Sequence, residues 1–364
     1  MGEPMRVGIV GVGTISGQYL TTIDSLVELQ LVAVSDLDMA RAEAAAAARP
    51  GVAAESSDDL VRRDDIDVVL NLTTPAQHLG VALAAVEAGH HVYGEKPLAM
   101  TTEEGRRVLD AAEAAGVVVG CAPDTVLGTG IQTARSAIDD GLIGRPISAT
   151  ATMVTPGHER WHPAPDFYYE PGGGPLLDMG PYYLTALVTL LGPVVEVTGM
   201  SSRMRDSRVI AQGDRAGAVI PVTIDSHVTA LLRHASGALS TLVMTFDAVA
   251  TRSANIEIHG ESGSLVVPDP NHFSGTAELR RLGDEGWRAL EPSAGYVDGG
   301  RGIGLVDLAR TPRGAAPRAS GELALHILDT MESILTASRE GRARSVRTVV
   351  DRPAAVPLTT LPRR

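Results

Sequence analysis

The stretch Gly11-Val12-Gly13-Thr14-Ile15-Ser16-Gly17 follows a short β-branched run at 7–10 and opens a segment of helical spacing at 14–27. A strand, a side-chain-free turn and a helix in that order are the parts of a phosphate cradle. Gly11 permits the tight turn, Gly13 lets backbone approach a pyrophosphate, and the helix N-terminus stabilises its charge. The third small position is filled by Ser16 with Gly17, where a single Gly or Ala is usual. Asp36 ends a second apolar run at 31–35, 25 residues after Gly11. An aspartate there accepts hydrogen bonds from ribose hydroxyls and repels a 2′-phosphate. The next residue is Leu37 and not an arginine, which favours NAD over NADP.

Outward from this turn, the first third of the chain alternates strand and helix patterns. Apolar runs at 68–72, 91–93 and 117–120 read as strands, and 39–48, 77–88 and 102–115 as helices. Gly89 is a natural helix stop. Thr102 is the expected cap of the last helix, with Glu103 and Glu104 suited to its first turn. Fully apolar strands alternating with helices predict a parallel sheet covered on both faces. From about Asp124 the rhythm changes. A helix at 131–139 is followed by strand patterns at 147–155, 194–200, 227–232, 239–246, 256–259 and 265–267. Gly237 and the turn at 261–263 join some of them, a long helix is expected at 321–337, and 310–318 reads as a surface loop. The expected architecture is α/β: a Rossmann dinucleotide-binding domain at 1–123, then an α+β domain at 124–364 with a large, mostly antiparallel open sheet.

Length and composition agree with two soluble domains. The chain has 364 residues, 44% hydrophobic and 21% charged. No run nears the roughly eighteen apolar residues of a membrane helix. Residues 1–10 carry neither a basic region nor a cleavage site, so a cytoplasmic protein with no membrane partner is expected. The single cysteine, Cys121, excludes an internal disulfide and a cysteine metal site. A net charge of −13 lacks the basic footprint of a nucleic-acid binder.

Two compositional facts point to chemistry. Lys96 is the only lysine among 31 basic residues. Arginine stays charged, whereas a lysine can be tuned to give or take a proton. Of 12 aromatic residues, six (Trp161, Phe167, Tyr168, Tyr169, Tyr182 and Tyr183) lie between 161 and 183. Aromatic faces line small-molecule sites, although they also fill cores.

Gly94-Glu95-Lys96-Pro97 follows a strand, and residues at the carboxyl edge of a parallel sheet point into the ligand crevice. The lone lysine is therefore expected at the nicotinamide end of the dinucleotide. Further on, Gly172-Gly173-Gly174-Pro175-Leu176-Leu177-Asp178-Met179-Gly180-Pro181-Tyr182 sets Asp178 and Tyr182 four apart, on one face of a helix. A nearby ammonium favours the phenolate form of a tyrosine, which suits Tyr182 to give or take a proton.

With these residues in view, the sequence resembles the Gfo/Idh/MocA family (glucose–fructose oxidoreductase and inositol dehydrogenase) over essentially its whole length. The resemblance is carried by Gly11 and Gly13, by Asn71-Leu72-Thr73-Thr74-Pro75 with His78, by Glu95-Lys96-Pro97, and by the glycine run into Asp178. It implies hydride transfer at a sugar or cyclitol carbon with Lys96 in the proton-handling site. It also implies a homodimer or homotetramer built through the C-terminal sheet. The cofactor contacts it implies are Gly11, Val12, Gly13, Thr14 and Ile15, with Asp36 and Leu37 at the ribose. Thr73, Thr74, Pro75, His78, Glu95 and Lys96 complete them. The family's common pattern has a histidine four residues after the aspartate, where this chain has Tyr182. Some sugar ketoreductases of the family are similar in using tyrosine there. If Tyr182 only packs, Lys96 with an ordered water must move the proton.

His158-Glu159-Arg160-Trp161-His162 spells a zinc-protease pattern, but that chemistry needs both histidines one turn apart on a helix. Pro156 and Gly157 before it, and Pro163 and Pro165 after it, make a loop. No metal site is expected. The segment reads instead as a substrate loop, with Trp161 stacking on a sugar face, His158 and His162 meeting hydroxyls, and Tyr169 beside them. Asp124 either reaches the cleft or caps a helix. The expected function is an NAD(H)-dependent sugar or polyol oxidoreductase, with Lys96, Asp178 and Tyr182 catalytic and Lys96, Asp124, His158, Trp161, His162, Tyr169, Asp178 and Tyr182 meeting the substrate. Two alternatives are a glycosidase that oxidises its substrate transiently with bound NAD, and a non-catalytic NAD-binding regulator.

Overall fold

A computed structural model describes residues 3–312 and 314–364. The chain divides into two units. The first holds the chain up to Thr129 together with Gly295–Leu325 and Val356–Arg364; the second holds Gly130–Ala294 and His326–Ala355. A single cut after residue 123 does not describe this division, because the C-terminal third returns to the first unit twice. Backbone pairing and one buried carboxylate account for the returns. Tyr296–Val297 pairs in parallel with Thr359–Thr360, Ser320 bridges to Gly120, and Asp124 accepts from the amides of Gly302 and Gly304.

The first unit is built on strands β1 (Met5–Val10), β2 (Leu29–Ser35), β3 (Ala53–Ala54), β4 (Val68–Asn71), β5 (His91–Gly94) and β6 (Val119–Cys121). All neighbours run parallel, in the order β3-β2-β1-β4-β5-β6. This is the doubly wound order, which reverses between β1 and β4 and opens a crevice beyond their carboxyl ends. The strands read as unbroken apolar runs because they are buried: Val7, Ile9, Val68, Val69 and Leu70 are inaccessible to solvent. Helices α1 (Ser16–Ser25), α2 (Met39–Ala47), α3 (Ser57–Leu60), α4 (His78–Glu87) and α5 (Thr102–Ala115) alternate with them. The cap of α5 is Thr101 and not Thr102; its hydroxyl accepts from the Glu104 amide at 3.2 Å. Only a residue one step outside the helix has the extended backbone that turns its side chain onto those amides.

The second unit opens with α6 (Thr129–Asp139) and carries a nine-stranded sheet. Its principal strands are β7 (Pro146–Val154), Val194–Ser202, His227–His234, Leu239–Thr245, Ile256–Gly260 and Gly263–Val267. All pairs are antiparallel except β7 with Leu239–Thr245, which runs parallel. A seventh helix, α7 (Pro175–Leu191), packs across β7, His227–His234 and Leu239–Thr245. Strand His227–His234 shows the consequence: Val228, Ala230, Leu232 and His234 are buried, while Leu231 is exposed. Near the C-terminus, Ile303–Arg310 is helical, a segment the sequence pattern did not single out. Arg310, expected in a loop, closes that helix and ion-pairs with Glu28 at 2.6 Å; Arg313 lies outside the described residues. Among the described residues no helix is long and apolar enough to cross a membrane.

Candidate active site

In the first unit the glycine turn sits at the strand-order reversal. Gly11 has a φ of +96°, and a Cβ there would stand 2.8 Å from the Leu72 carbonyl, so backbone from the end of β4 excludes any side chain. Gly13 is the opposite case: a Cβ built on it would meet nothing within 4 Å. Space is therefore open above the turn, directly before α1, which is the cradle a pyrophosphate needs. The Asp36 carboxylate ties the turn to β2, with Oδ2 accepting from the Val12 amide at 2.8 Å and Oδ1 from the Asp38 amide at 2.9 Å. Each oxygen keeps acceptor capacity for a ribose hydroxyl. Ser16 is buried and its hydroxyl donates to the Gly13 carbonyl at 2.7 Å, which explains serine at the third small position.

Other expected cofactor residues turn inward and fix backbone. Asn71 Oδ1 accepts from the Thr73 amide and hydroxyl, and its amide donates to the His78 carbonyl. His78 is buried, not presented to a ligand: Nδ1 lies 2.6 Å from the Pro97 carbonyl and Nε2 3.1 Å from the Thr73 carbonyl. Burial holds its pKa below the usual histidine value, against the two carbonyls, which raise it; a neutral ring donates to one of them and a protonated ring to both. His78 thus locks the Thr73 loop to the Lys96-Pro97 turn. Thr74 and Pro75 are exposed on that loop, as is Leu37 after Asp36.

Glu95 works in the same way. Its carboxylate accepts from the Lys96 amide at 3.0 Å and from the Tyr19 hydroxyl, on α1, at 2.7 Å. Burial raises the Tyr19 pKa well above its usual value, so the hydroxyl remains a donor. Tyr19 could not be read as this partner from the sequence, because its position on α1 carries no local motif. Lys96 is half-buried after β5. Asp124 is fully buried; its Oδ2 accepts from Gly302 and Gly304 at 2.8 and 3.0 Å, the first amides of the helix Ile303–Arg310. It caps a helix, though one 180 residues away, and a fully buried carboxylate cannot meet a substrate. Burial, opposed by those amides, pushes its pKa up to about 6.

In the second unit the glycine run folds back onto the aromatic loop. A Cβ on Gly173 would overlap the Phe167 carbonyl, and the Gly174 amide donates to the Tyr168 carbonyl at 2.8 Å. The loop is thereby brought against the start of α7. Pro175 opens that helix, Asp178 stands in its first turn, and Tyr182 follows one turn on, buried. His158 Nε2 lies 3.0 Å from Asp178 Oδ2, and the Trp161 indole donates to His158 Nδ1 at 3.1 Å. The imidazole is boxed by Tyr168 and Phe246, both with centroids at 4.4 Å, and by Trp161 at 5.1 Å. Both nitrogens of His158 have protein partners, so it serves Asp178 and not a hydroxyl directly. An imidazole thus meets Asp178, but from the loop and not from position 182.

Trp161 and Phe167 remain 52% and 54% exposed, with His162 between them at 5.4 Å from each ring. Tyr169, expected at the substrate, lies in the interior. It is fully buried, its hydroxyl accepts from the His158 amide at 3.0 Å and donates to Glu159, and it faces no substrate. Glu159 pairs at 3.2 Å with Arg208, which also pairs with Asp247 at 2.5 Å. The residues of the zinc-like pattern are therefore spent on a 3-10 turn (His158–Arg160) and a buried ion network. Arg208, on the short strand Ser207–Val209, and Asp247, two residues beyond Leu239–Thr245, come from elsewhere in the chain, and the sequence reading missed them.

Comparison with known proteins decides the family. Residues 5–122 match the model of an oxidoreductase family with an NAD-binding Rossmann fold, and residues 131–266 match the GFO/IDH/MocA C-terminal domain. The chain belongs to the Gfo/Idh/MocA family of oxidoreductases. It is 29% identical over 353 residues to a 1,5-anhydro-D-fructose reductase from Ensifer adhaerens, covering 94% of this chain and 99% of that one. It is 30% identical over 242 residues to a levoglucosan dehydrogenase from Pseudarthrobacter phenanthrenivorans, covering 61% of each. In fold it matches an NAD binding oxidoreductase from Klebsiella pneumoniae with a TM-score of 0.82 at 24% identity, covering 95% of this chain and all of that one.

Proposed function

We propose that this family member is an NAD(H)-dependent oxidoreductase interconverting a secondary alcohol and a ketone on a sugar, glycoside or cyclitol ring. The observation that carries the reading is the place of the chain's only lysine, at the carboxyl edge of a parallel sheet whose glycine turn is open above Gly13. Relatives named for anhydrofructose reduction and levoglucosan oxidation support the substrate class. The amides of the 11–15 turn hold the pyrophosphate and Asp36 holds the adenosine ribose. NAD, when bound, takes or supplies the hydride. Lys96 steadies the developing alkoxide, Tyr182 or Lys96 carries the hydroxyl proton, and Asp178 orients the polar groups. Ketone reduction uses the same residues in reverse.

A panel of sugars, glycosides and cyclitols with NAD and with NADP, read at the nicotinamide absorbance, tests this. Reduction of NAD by at least one member is expected. Glycoside cleavage with no net NADH, and with cofactor retained through desalting, would contradict it in favour of a transient-oxidation glycosidase.

We further infer that copies associate through the open face of the nine-stranded sheet, where Met200 and Leu231 stand 79% and 56% exposed. Sedimentation should give a dimer or tetramer that Leu231→Arg dissociates; a monomeric wild type refutes this. The single buried thiol, Cys121, suits a protein working in the reducing cytoplasm.

A further inference from the structure

We propose that Trp161, through its indole N–H, fixes the tautomer of His158 and thereby makes His158 a positioning residue for Asp178. The proposal rests on the alcohol–ketone reading of Asp178 and adds two residues that act through it. A tryptophan indole nitrogen donates and never accepts. Trp161 Nε1 lies 3.1 Å from His158 Nδ1, so that nitrogen presents its lone pair. In the neutral ring the proton then resides on Nε2, 3.0 Å from Asp178 Oδ2, and donates to the carboxylate. His158 in this state cannot accept a proton from Asp178; it is a fixed donor that orients the carboxylate.

The surroundings prevent the ring from leaving this state. Tyr168 and Phe246 hold it at 4.4 Å, and its backbone amide is pinned to the Tyr169 hydroxyl. That hydroxyl is held by Glu159, which is paired with the buried Arg208. Trp161 itself is half exposed, with its outer surface toward solvent. The residue that sets the imidazole tautomer is therefore the same one whose face is available for stacking on a sugar. Substrate seating and carboxylate orientation meet in one side chain.

Trp161→Phe separates the two roles, because it keeps an aromatic face and removes only the donor. With a substrate found in the panel, kcat should fall about tenfold while KM stays within about twofold. His158→Leu should fall further. His158→Gln, whose amide nitrogen reaches the place of Nε2, should recover part of the loss, with NADH affinity unchanged throughout and any fall in melting temperature smaller in the Gln than in the Leu variant. A KM that rises while kcat holds would overturn the proposal and make Trp161 a plain substrate contact. An unchanged kcat in His158→Leu would overturn it as well. The tautomer is read independently by nitrogen-15 NMR of histidine-labelled protein, with the His158 signals assigned from the Gln variant. The account expects a bare Nδ1 and a protonated Nε2 in the wild type, and a mixture in Trp161→Phe. A protonated Nδ1 in the wild type refutes the lock even if no panel member is turned over, whereas an inactive panel alone refutes only the alcohol–ketone reading.

Discussion

The two units hold their site residues by different means. In the first, charged and polar side chains grip backbone: Asp36 takes the Val12 and Asp38 amides, Glu95 the Lys96 amide, His78 two carbonyls, and Asp124 two amides. In the second, side chains grip one another: His158 with Asp178 and Trp161, Tyr169 with Glu159, and Arg208 with Glu159 and Asp247. A backbone grip survives changes of neighbouring side chains, since every residue but proline offers the same amide. A network of side chains fails when one member is removed, because the others are left buried without partners.

The largest expected effect follows from that difference. Arg208→Met removes the guanidinium that the Glu159 and Asp247 carboxylates share in the interior of the second unit. It should destabilise the protein by about 3–5 kcal/mol, the usual cost of breaking a buried pair, and loosen the His158 loop with it. Denaturant unfolding measures this. A loss below about 1 kcal/mol would show that the network is not what holds the loop.

A smaller effect belongs to the backbone-gripped side. The folded pKa of Asp124 is raised, by burial, to about 6. Its ionised form is therefore disfavoured in the fold: the associated stability is present at low pH and is lost as pH rises through about 6. Asp124→Asn keeps an oxygen for the Gly302 and Gly304 amides and removes the titration. Relative to wild type, its unfolding free energy, read by denaturant titration, should change little at about pH 4 and gain progressively toward pH 6, with a slope of at most about 1.4 kcal/mol per pH unit. Parallel curves across that window would contradict the assignment.

The same contrast explains what the sequence made legible. The turn at Gly11, the alternation of strands and helices and the place of Lys96 after a strand were readable because their signals are local: a glycine spacing, an apolar run, an acidic residue at a strand end. The helix Ile303–Arg310 was missed because its N-terminus is capped from Asp124, far away in sequence. His78 and Tyr169 were expected at the ligand and turned out to be internal ties, since a motif names a residue without saying which way it faces. The aromatic loop was recognised as unusual, yet its order depends on Arg208 and Asp247, contributed from elsewhere in the chain. No spacing rule predicts such a meeting.

The central claim is that turnover needs Lys96, which steadies the alkoxide and shares the handling of the hydroxyl proton with Tyr182. Lys96→Met, compared with wild type on a substrate from the panel, tests it most directly, with NADH affinity followed by nicotinamide fluorescence. The account predicts unchanged NADH binding and a turnover reduced by more than about a hundredfold, the scale of general acid–base catalysis. Turnover retained within a few-fold at normal NADH affinity would contradict it.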